Sequence, residues 1–304
     1  MTSYKRIAIV YLVLFGAMVV WALSFLVTKE VVRTVPVFAL LFMRFALATA
    51  LLGAVGMFGE RLRVARRELP VLAGLSLLSP IGYFLFETFG VSRTQPSHAA
   101  VIIAAIPAAV FLIAALRGQE RPTLRRGLGV AIAYGGVVLV IMAGRSEVGA
   151  SLSGDLLVLG AVLCAALRTA LVVDVLKRIT PLQLTFYQFL FSLFLFGPLA
   201  ATDGFAWLSQ ATVGVVSGVL FLGVFCSAGA YIAMHYALVH LSATQVAVSA
   251  NSIPLITLFA EFLLLGTALS SLKLVGTLVT IAGVILTQLD RRQMGAFVEG
   301  IEEG

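Results

Sequence analysis

Arg44, Glu87, Arg168 and His235 each stand inside a long apolar run. A charged or titratable side chain at bilayer depth is costly, so it turns inward, finds a partner, or lines a watery cavity with a task. A guanidinium can pair with a carboxylate, and a carboxylate with an ammonium group or a proton. Helical spacing places polar and aromatic neighbours beside them. Ser76, Pro80, Tyr83 and Glu87 follow i, i+4, i+7, i+11; Trp21, Ser24 and Thr28 follow i, i+3, i+7; Ser227, Tyr231 and His235 follow i, i+4, i+8. Such stripes in apolar helices turn away from lipid, toward the interior of a helix bundle.

The predicted cavity set is Trp21, Ser24, Arg44, Tyr83, Arg168, Tyr187, Gln188, Tyr231 and Asn251. Glu87 and His235 are the candidates for proton traffic. Each has a structural reading beside the functional one. Arg44 can pair with an interior carboxylate or cap carbonyls, Glu87 can form a salt bridge, and His235 can be a packed, hydrogen-bonded histidine. Pro107 and Pro254 fall in mid-run, where proline removes a backbone hydrogen bond; they read equally as hinges and as static kinks. His98 reads as a cap-region residue or a cavity ligand, and Glu261 is assigned no role. No G-x-S-x-G, H-E-x-x-H or Walker loop occurs, and three His and two scattered Cys make a metal centre improbable, so no catalytic residue, metal or cofactor is expected.

The elements that position these residues follow from composition. The chain has 304 residues, 61% hydrophobic and 12% charged, against roughly 25% charged in a soluble domain. Ten apolar runs of about 20 residues, the length that crosses a hydrocarbon core as a helix, lie at 7–28, 36–58, 70–91, 97–117, 124–143, 154–176, 181–201, 211–237, 242–266 and 270–289. Little chain remains for a soluble catalytic or nucleic-acid-binding domain. The net charge of +7 is distributed as a topology signal. With the N-terminus inside, fourteen of the 21 Lys and Arg fall on the cytoplasmic side and five, Lys29, Arg33, Arg93, Arg145 and Lys273, on the other. That bias predicts cytoplasmic termini.

The chain also repeats itself. At an offset of 147, Pro107 meets Pro254, Gly129 meets Gly276 and Gly136 meets Gly283. Five runs per half is an odd number, so the halves are expected to cross the membrane in opposite senses, as an inverted repeat. The predicted fold is an all-α integral membrane protein of ten transmembrane helices, five plus five. The halves are 1–143 and 154–289, joined by an extracytoplasmic linker at 144–153 and followed by a cytoplasmic tail at 290–304.

On these residues the chain resembles the drug/metabolite transporter superfamily, in its ten-helix EamA-type branch. Trp21-Ala22-Leu23-Ser24-Phe25 is similar to the family's W-G-x-[SN]-F element, with Ala22 in place of Gly. Met43-Arg44-Phe45 resembles its R-F, Gln119-Glu120-Arg121-Pro122 its G-E-R-x turn, and Gly129 to Gly136 and Gly276 to Gly283 its G-x6-G. The second half departs, with Gly266-Thr267 where Gly-Glu is usual and Glu261 standing earlier. Within the family the pattern is most similar to YddG-type exporters of aromatic and other amino acids. The resemblance implies alternating access around a cavity formed by helices 1, 3, 4, 6, 8 and 9. The expected activity is export of small solutes, amino acids first and drugs or other metabolites as the alternative, across a bacterial inner membrane. The expected partners are solute and lipid bilayer, with no nucleic acid and a monomeric working unit. An intramembrane enzyme or a non-transporting subunit is the reading from another class.

Overall fold

A computed structural model describes residues 3–58, 62–118, 123–144, 149–172, 174–241, 243–267 and 270–288. The apolar runs fold as fourteen α-helical segments. They are α1 (Ser3–Val31), α2 (Val37–Phe58), α3 (Leu69–Ser76), α4 (Tyr83–Arg93), α5 (Pro96–Ala104), α6 (Ile106–Leu116) and α7 (Leu124–Ala143). Then follow α8 (Leu152–Val172), α9 (Pro181–Thr202), α10 (Val213–Leu220), α11 (Ala230–His240), α12 (Ala243–Ala250), α13 (Ile253–Leu265) and α14 (Ser271–Gln288). Nine helical stretches among the described residues are long and apolar enough to cross a membrane. The chain is a multi-pass membrane protein.

Four of the ten runs are not single α-helices. The third, Arg66–Arg93, passes through a wide turn at Leu77–Gly82, where Ser79 adopts an extended backbone (φ −153°, ψ 128°) ahead of Pro80. Proline disfavours the helical region for the residue before it, which accounts for the break. The eighth run, Val213–His240, has a second wide turn at Phe221–Gly229. The fourth is interrupted at Ala105, between α5 and α6, and the ninth at Asn251–Ser252, between α12 and α13. The ninth run, expected as one span, is therefore two short helices. Pro107 and Pro254 sit in the first turn of α6 and of α13, where a missing N–H costs nothing because that donor has no helical acceptor.

Helix starts follow local chemistry. Thr180 and Gln183 form a capping box over Pro181, with bonds of 3.2 and 3.0 Å. Thr123 and Thr212 accept from the backbone N–H three residues on. Outside the bundle, Leu116, Met57 and Val213 are 80%, 78% and 87% exposed, as side chains facing lipid should be.

The tightest seam joins α7 to α14. A Cβ added at Gly136 would lie 2.6 Å from the Gly276 carbonyl and also meet the Thr280 nitrogen. One at Gly129 would lie 2.9 Å from the Gly283 carbonyl. These close approaches require glycine, as small-residue packing in lipid does generally. Elsewhere α2 packs on α9, α4 on α8, α1 on α11 and α5 on α13. Between α2, α4 and α9 a cluster forms around Phe45, whose ring centroid lies 5.2 Å from those of Phe84 and Phe189 and 5.9 Å from that of Phe196.

Candidate functional site

A cavity of about 370 Å³ opens between the two halves of the chain. Ten of the residues singled out from sequence line it: Trp21, Ser24, Arg44, Tyr83, Glu87, Pro107, Arg168, Tyr231, Asn251 and Pro254. They come from α1, α2, α4, α6, α8, α11, α13 and the α12–α13 break. Ser79, Phe25, Phe84, Thr169 and Gln288 join them.

Arg44 is 3% exposed and held from two sides. Its Nε donates to Ser227 Oγ at 2.6 Å, and its guanidinium carbon lies 4.4 Å from the Phe84 ring centroid. The wide turn at Phe221–Gly229 supports this arrangement, because Ser227 Oγ donates in turn to the Leu222 carbonyl five residues back, at 2.9 Å. Cation–π contact and one hydrogen bond fix the plane of the guanidinium. Glu87, equally buried, accepts from Thr88 Oγ1 at 3.0 Å.

Arg168 Nη2 donates to Gln188 Oε1 at 2.8 Å, and Gln188 Nε2 donates to the Ser79 carbonyl at 2.8 Å. That carbonyl sits at the break of the third run, where the extended Ser79 leaves the helical ladder. Gln188 thus stands behind Arg168 and outside the lining. Arg168 Nε and Asn251 Nδ2 are buried polar atoms without a hydrogen-bond partner. Among the described residues, no ion pair involves Arg44, Glu87 or Arg168. Arg44 and Glu87 face the same cavity without closing to salt-bridge distance, and the described residues place no carboxylate against Arg168.

The aromatic wall is ordered by edge-to-face contacts. Trp21 and Tyr231 meet at 5.7 Å and 78°, Tyr83 and Phe84 at 4.8 Å and 90°. Trp21 Nε1 donates to the Cys226 carbonyl at 3.0 Å, and Ser24 Oγ to the Trp21 carbonyl at 2.6 Å. Trp21 thereby presents a ring face with its polar atom satisfied.

Three sequence candidates lie elsewhere or beyond description. Tyr187 does not line the cavity. It meets the Phe186 ring edge-to-face and packs with Phe191 against an apolar cluster of Leu72, Leu75, Val172 and Leu184. The reason is periodicity: Tyr187 lies about 100° around α9 from Gln188, on the face turned toward α3. The His235 side chain lies outside the described residues, although its backbone is in α11. So do the 119–122 motif, most of the linker core at 145–148 and the tail at 290–304. Sequence reasoning missed Phe84 and Ser79. Phe84 is one of 21 phenylalanines with nothing in its spacing to mark it. Ser79 carried a usable signal, its position before Pro80. Among the described residues, no group of three His, Cys, Asp or Glu could hold a metal.

The model of the EamA-like transporter family matches residues 8–142 and again 152–289. An "Uncharacterized transporter" of Archaeoglobus fulgidus is 30% identical over 286 residues, covering 93% of this chain and 98% of that protein. A "Probable terminal-alkyne amino-acid exporter" of Streptantibioticus cattleyicolor is 28% identical over 250 residues, covering 82% of each. A solved structure superposes with a TM-score of 0.65 at 17% identity, over 94% of this chain and 99% of that one, which speaks to fold. With ten-run architecture, a polar-aromatic cavity between its halves and two matches spanning nearly its whole length, this chain belongs to the EamA-like transporter family.

Proposed function

We propose that the protein exports small zwitterionic solutes, amino acids, across the bacterial inner membrane by alternating access. One observation carries this reading. Two guanidiniums and one carboxylate, none in a salt bridge among the described residues, face a single cavity walled by Trp21, Tyr83, Phe84 and Tyr231. A solute bearing both a carboxylate and an ammonium group supplies the missing partners at once. In this reading Arg168, with Asn251 beside the α12–α13 break, takes the carboxylate. Glu87 takes the ammonium group or a coupling proton, and the aromatic faces take the side chain. The cavity falls within the ~300–1,000 Å³ usual for small-molecule sites. The printed name of the Streptantibioticus cattleyicolor relative, an amino-acid exporter, agrees with this cargo and direction.

The proposed framework is an inverted repeat of five plus five helices, 1–143 and 154–289, with both termini cytoplasmic. Two features support it. Exchanging the halves maps the helix pairings onto themselves: α7–α14, α2–α9 and α5–α13 pair corresponding spans, while α1–α11 and α4–α8 exchange. The Lys and Arg bias favours the stated orientation. The testing experiment is uptake of a panel of labelled amino acids into proteoliposomes of the purified protein. Saturable flux above that of protein-free vesicles is expected. Equal flux in the two would sink the reading. Flux of apolar drugs alone would instead make it a drug exporter of the same fold.

A further inference from the structure

The turn between α4 and α5, residues 92–98, is held by charged side chains from four other helices. Lys29 of α1 donates from Nζ to the carbonyls of Ser92, at 3.1 Å, and Thr94, at 2.8 Å. Asp155 of α8 accepts from Thr94 Oγ1 at 2.6 Å and faces His98 Nδ1 at 3.4 Å. Glu261 of α13 accepts from the Ser97 N–H at 3.0 Å, and Lys273 of α14 donates to Gln95 Oε1. Asp155, Glu261 and Lys273 are 2%, 1% and 1% exposed, and Thr94, Ser97 and His98 are fully buried.

This is a concentrated use of buried charge. Bringing ions out of water costs several kcal/mol each unless partners replace the lost hydration. Here the partners are backbone and side-chain groups of one turn. Pro96 opens α5, and Gln95 before it is extended (ψ 146°). The first N–H groups of α5 therefore lack helical acceptors. The Glu261 carboxylate satisfies one of them and meets the positive end of the helix.

The turn is joined to the cavity by α5 itself. Ala100, Ile103 and Ala104 of α5 line the cavity, and the helix ends at the Ala105 break, with Pro107 just beyond. The same four anchoring helices place residues in the cavity farther along. From Asp155 to Arg168 on α8 is 13 residues, and from Lys273 to Gln288 on α14 is 15, about 20 and 22 Å at 1.5 Å per residue. On α1 and α13 the steps from Lys29 to Trp21 and from Glu261 to Pro254 are about 10–12 Å. All four charges lie at one end of the bundle, and the cavity runs away from them.

We infer that α5 is a gate, latched shut by Lys29, Asp155, Glu261 and Lys273, and that solute passes this end of the cavity when the latch parts and α5 swings about the Ala105–Pro107 break. The inference rests on the cavity being a transport path, and it is tested by access rather than flux.

The probe is Ile103→Cys in a background of Cys164→Ser and Cys226→Ala, labelled with a membrane-impermeant maleimide in vesicles of both orientations. It is compared with the same protein carrying Glu261→Gln or Lys29→Met. Lys29 is half-buried, so its replacement perturbs folding least and decides the matter if Glu261→Gln does not fold. Melting temperature establishes that each variant is folded. In folded variants, labelling from the side of the 92–98 turn is expected to be about tenfold faster than with the latch intact. Unchanged labelling from that side in the folded variants overturns the latch. So does rapid labelling from that side with the latch intact. Labelling does not depend on which solute is carried, so a failed amino-acid assay leaves this result standing.

Discussion

Gln188 bonds Arg168 with its carbonyl oxygen and the Ser79 backbone with its amide nitrogen, each at 2.8 Å. A cavity arginine is thereby tied to the break in the third membrane segment through one uncharged side chain. Gln188 is a positioning residue: it orients a guanidinium without consuming its charge. Gln188→Leu removes the orientation and should raise the KM for amino-acid uptake about tenfold, as expected for about 1–1.5 kcal/mol. Substrate-concentration curves in proteoliposomes check this. An unaltered KM in a folded variant would show that Arg168 is set by the cavity alone.

Arg44 tests whether shape or charge matters at the second guanidinium. Arg44→Lys keeps the charge and loses both the planar contact with Phe84 and the Nε bond to Ser227. Transport should fall at least about tenfold, because an ammonium on a flexible stem does not reproduce a stacked, planar group. The melting temperature distinguishes a folded, slow transporter from an unfolded one.

Glu87 is the described titratable group in the cavity wall able to carry a proton. With Glu87→Gln, uptake driven by an imposed pH gradient should fall to its level without a gradient, whereas solute-for-solute exchange persists. A variant that responds to a pH jump as fully as the original protein would remove Glu87 from coupling.

The α7–α14 seam offers a paired test by stability. A methyl at Gly136 meets the α14 backbone, whereas at Gly135 nothing lies within 4 Å. Gly136→Ala should destabilise by about 2–3 kcal/mol. Gly135→Ala should be neutral or stabilising by up to about 1 kcal/mol, since alanine is the better helix former. Thermal unfolding in detergent of the two variants side by side reads the difference.

Much of the cavity is legible in sequence because lipid is an unforgiving solvent. Arg44, Glu87 and Arg168 could not face hydrocarbon, and the i, i+3, i+4 rule carried Trp21, Ser24, Tyr83 and Tyr231 inward with them. The ten runs were readable for the same reason, since helix length must match bilayer thickness. Features that depend on two distant parts of the chain were not readable. Glu261 carried no assignment because its partner, the Ser97 N–H, lies 164 positions away. Tyr187 and Gln188 are adjacent, and an α-helix turns adjacent residues about 100° apart. Only the packing of α9 on α2 and α3 decides which of the two approaches the cavity. Wide turns leave little mark in composition, so the one at Phe221–Gly229 was invisible, and Pro80 alone hinted at its counterpart.

The glycine seam has a mechanical corollary. Most helix pairs in the bundle are cogged by side chains such as Phe45 against Phe189, and moving them means lifting teeth out of sockets. At the Gly129, Gly136, Gly276 and Gly283 crossings the backbones themselves meet, with only compact side chains such as Thr280, Thr287 and Val140 reaching across. Pulling α7 from α14 would forfeit every contact at once, whereas a small twist forfeits few. The pair is suited to serve as an axle, one that can turn under load without coming apart.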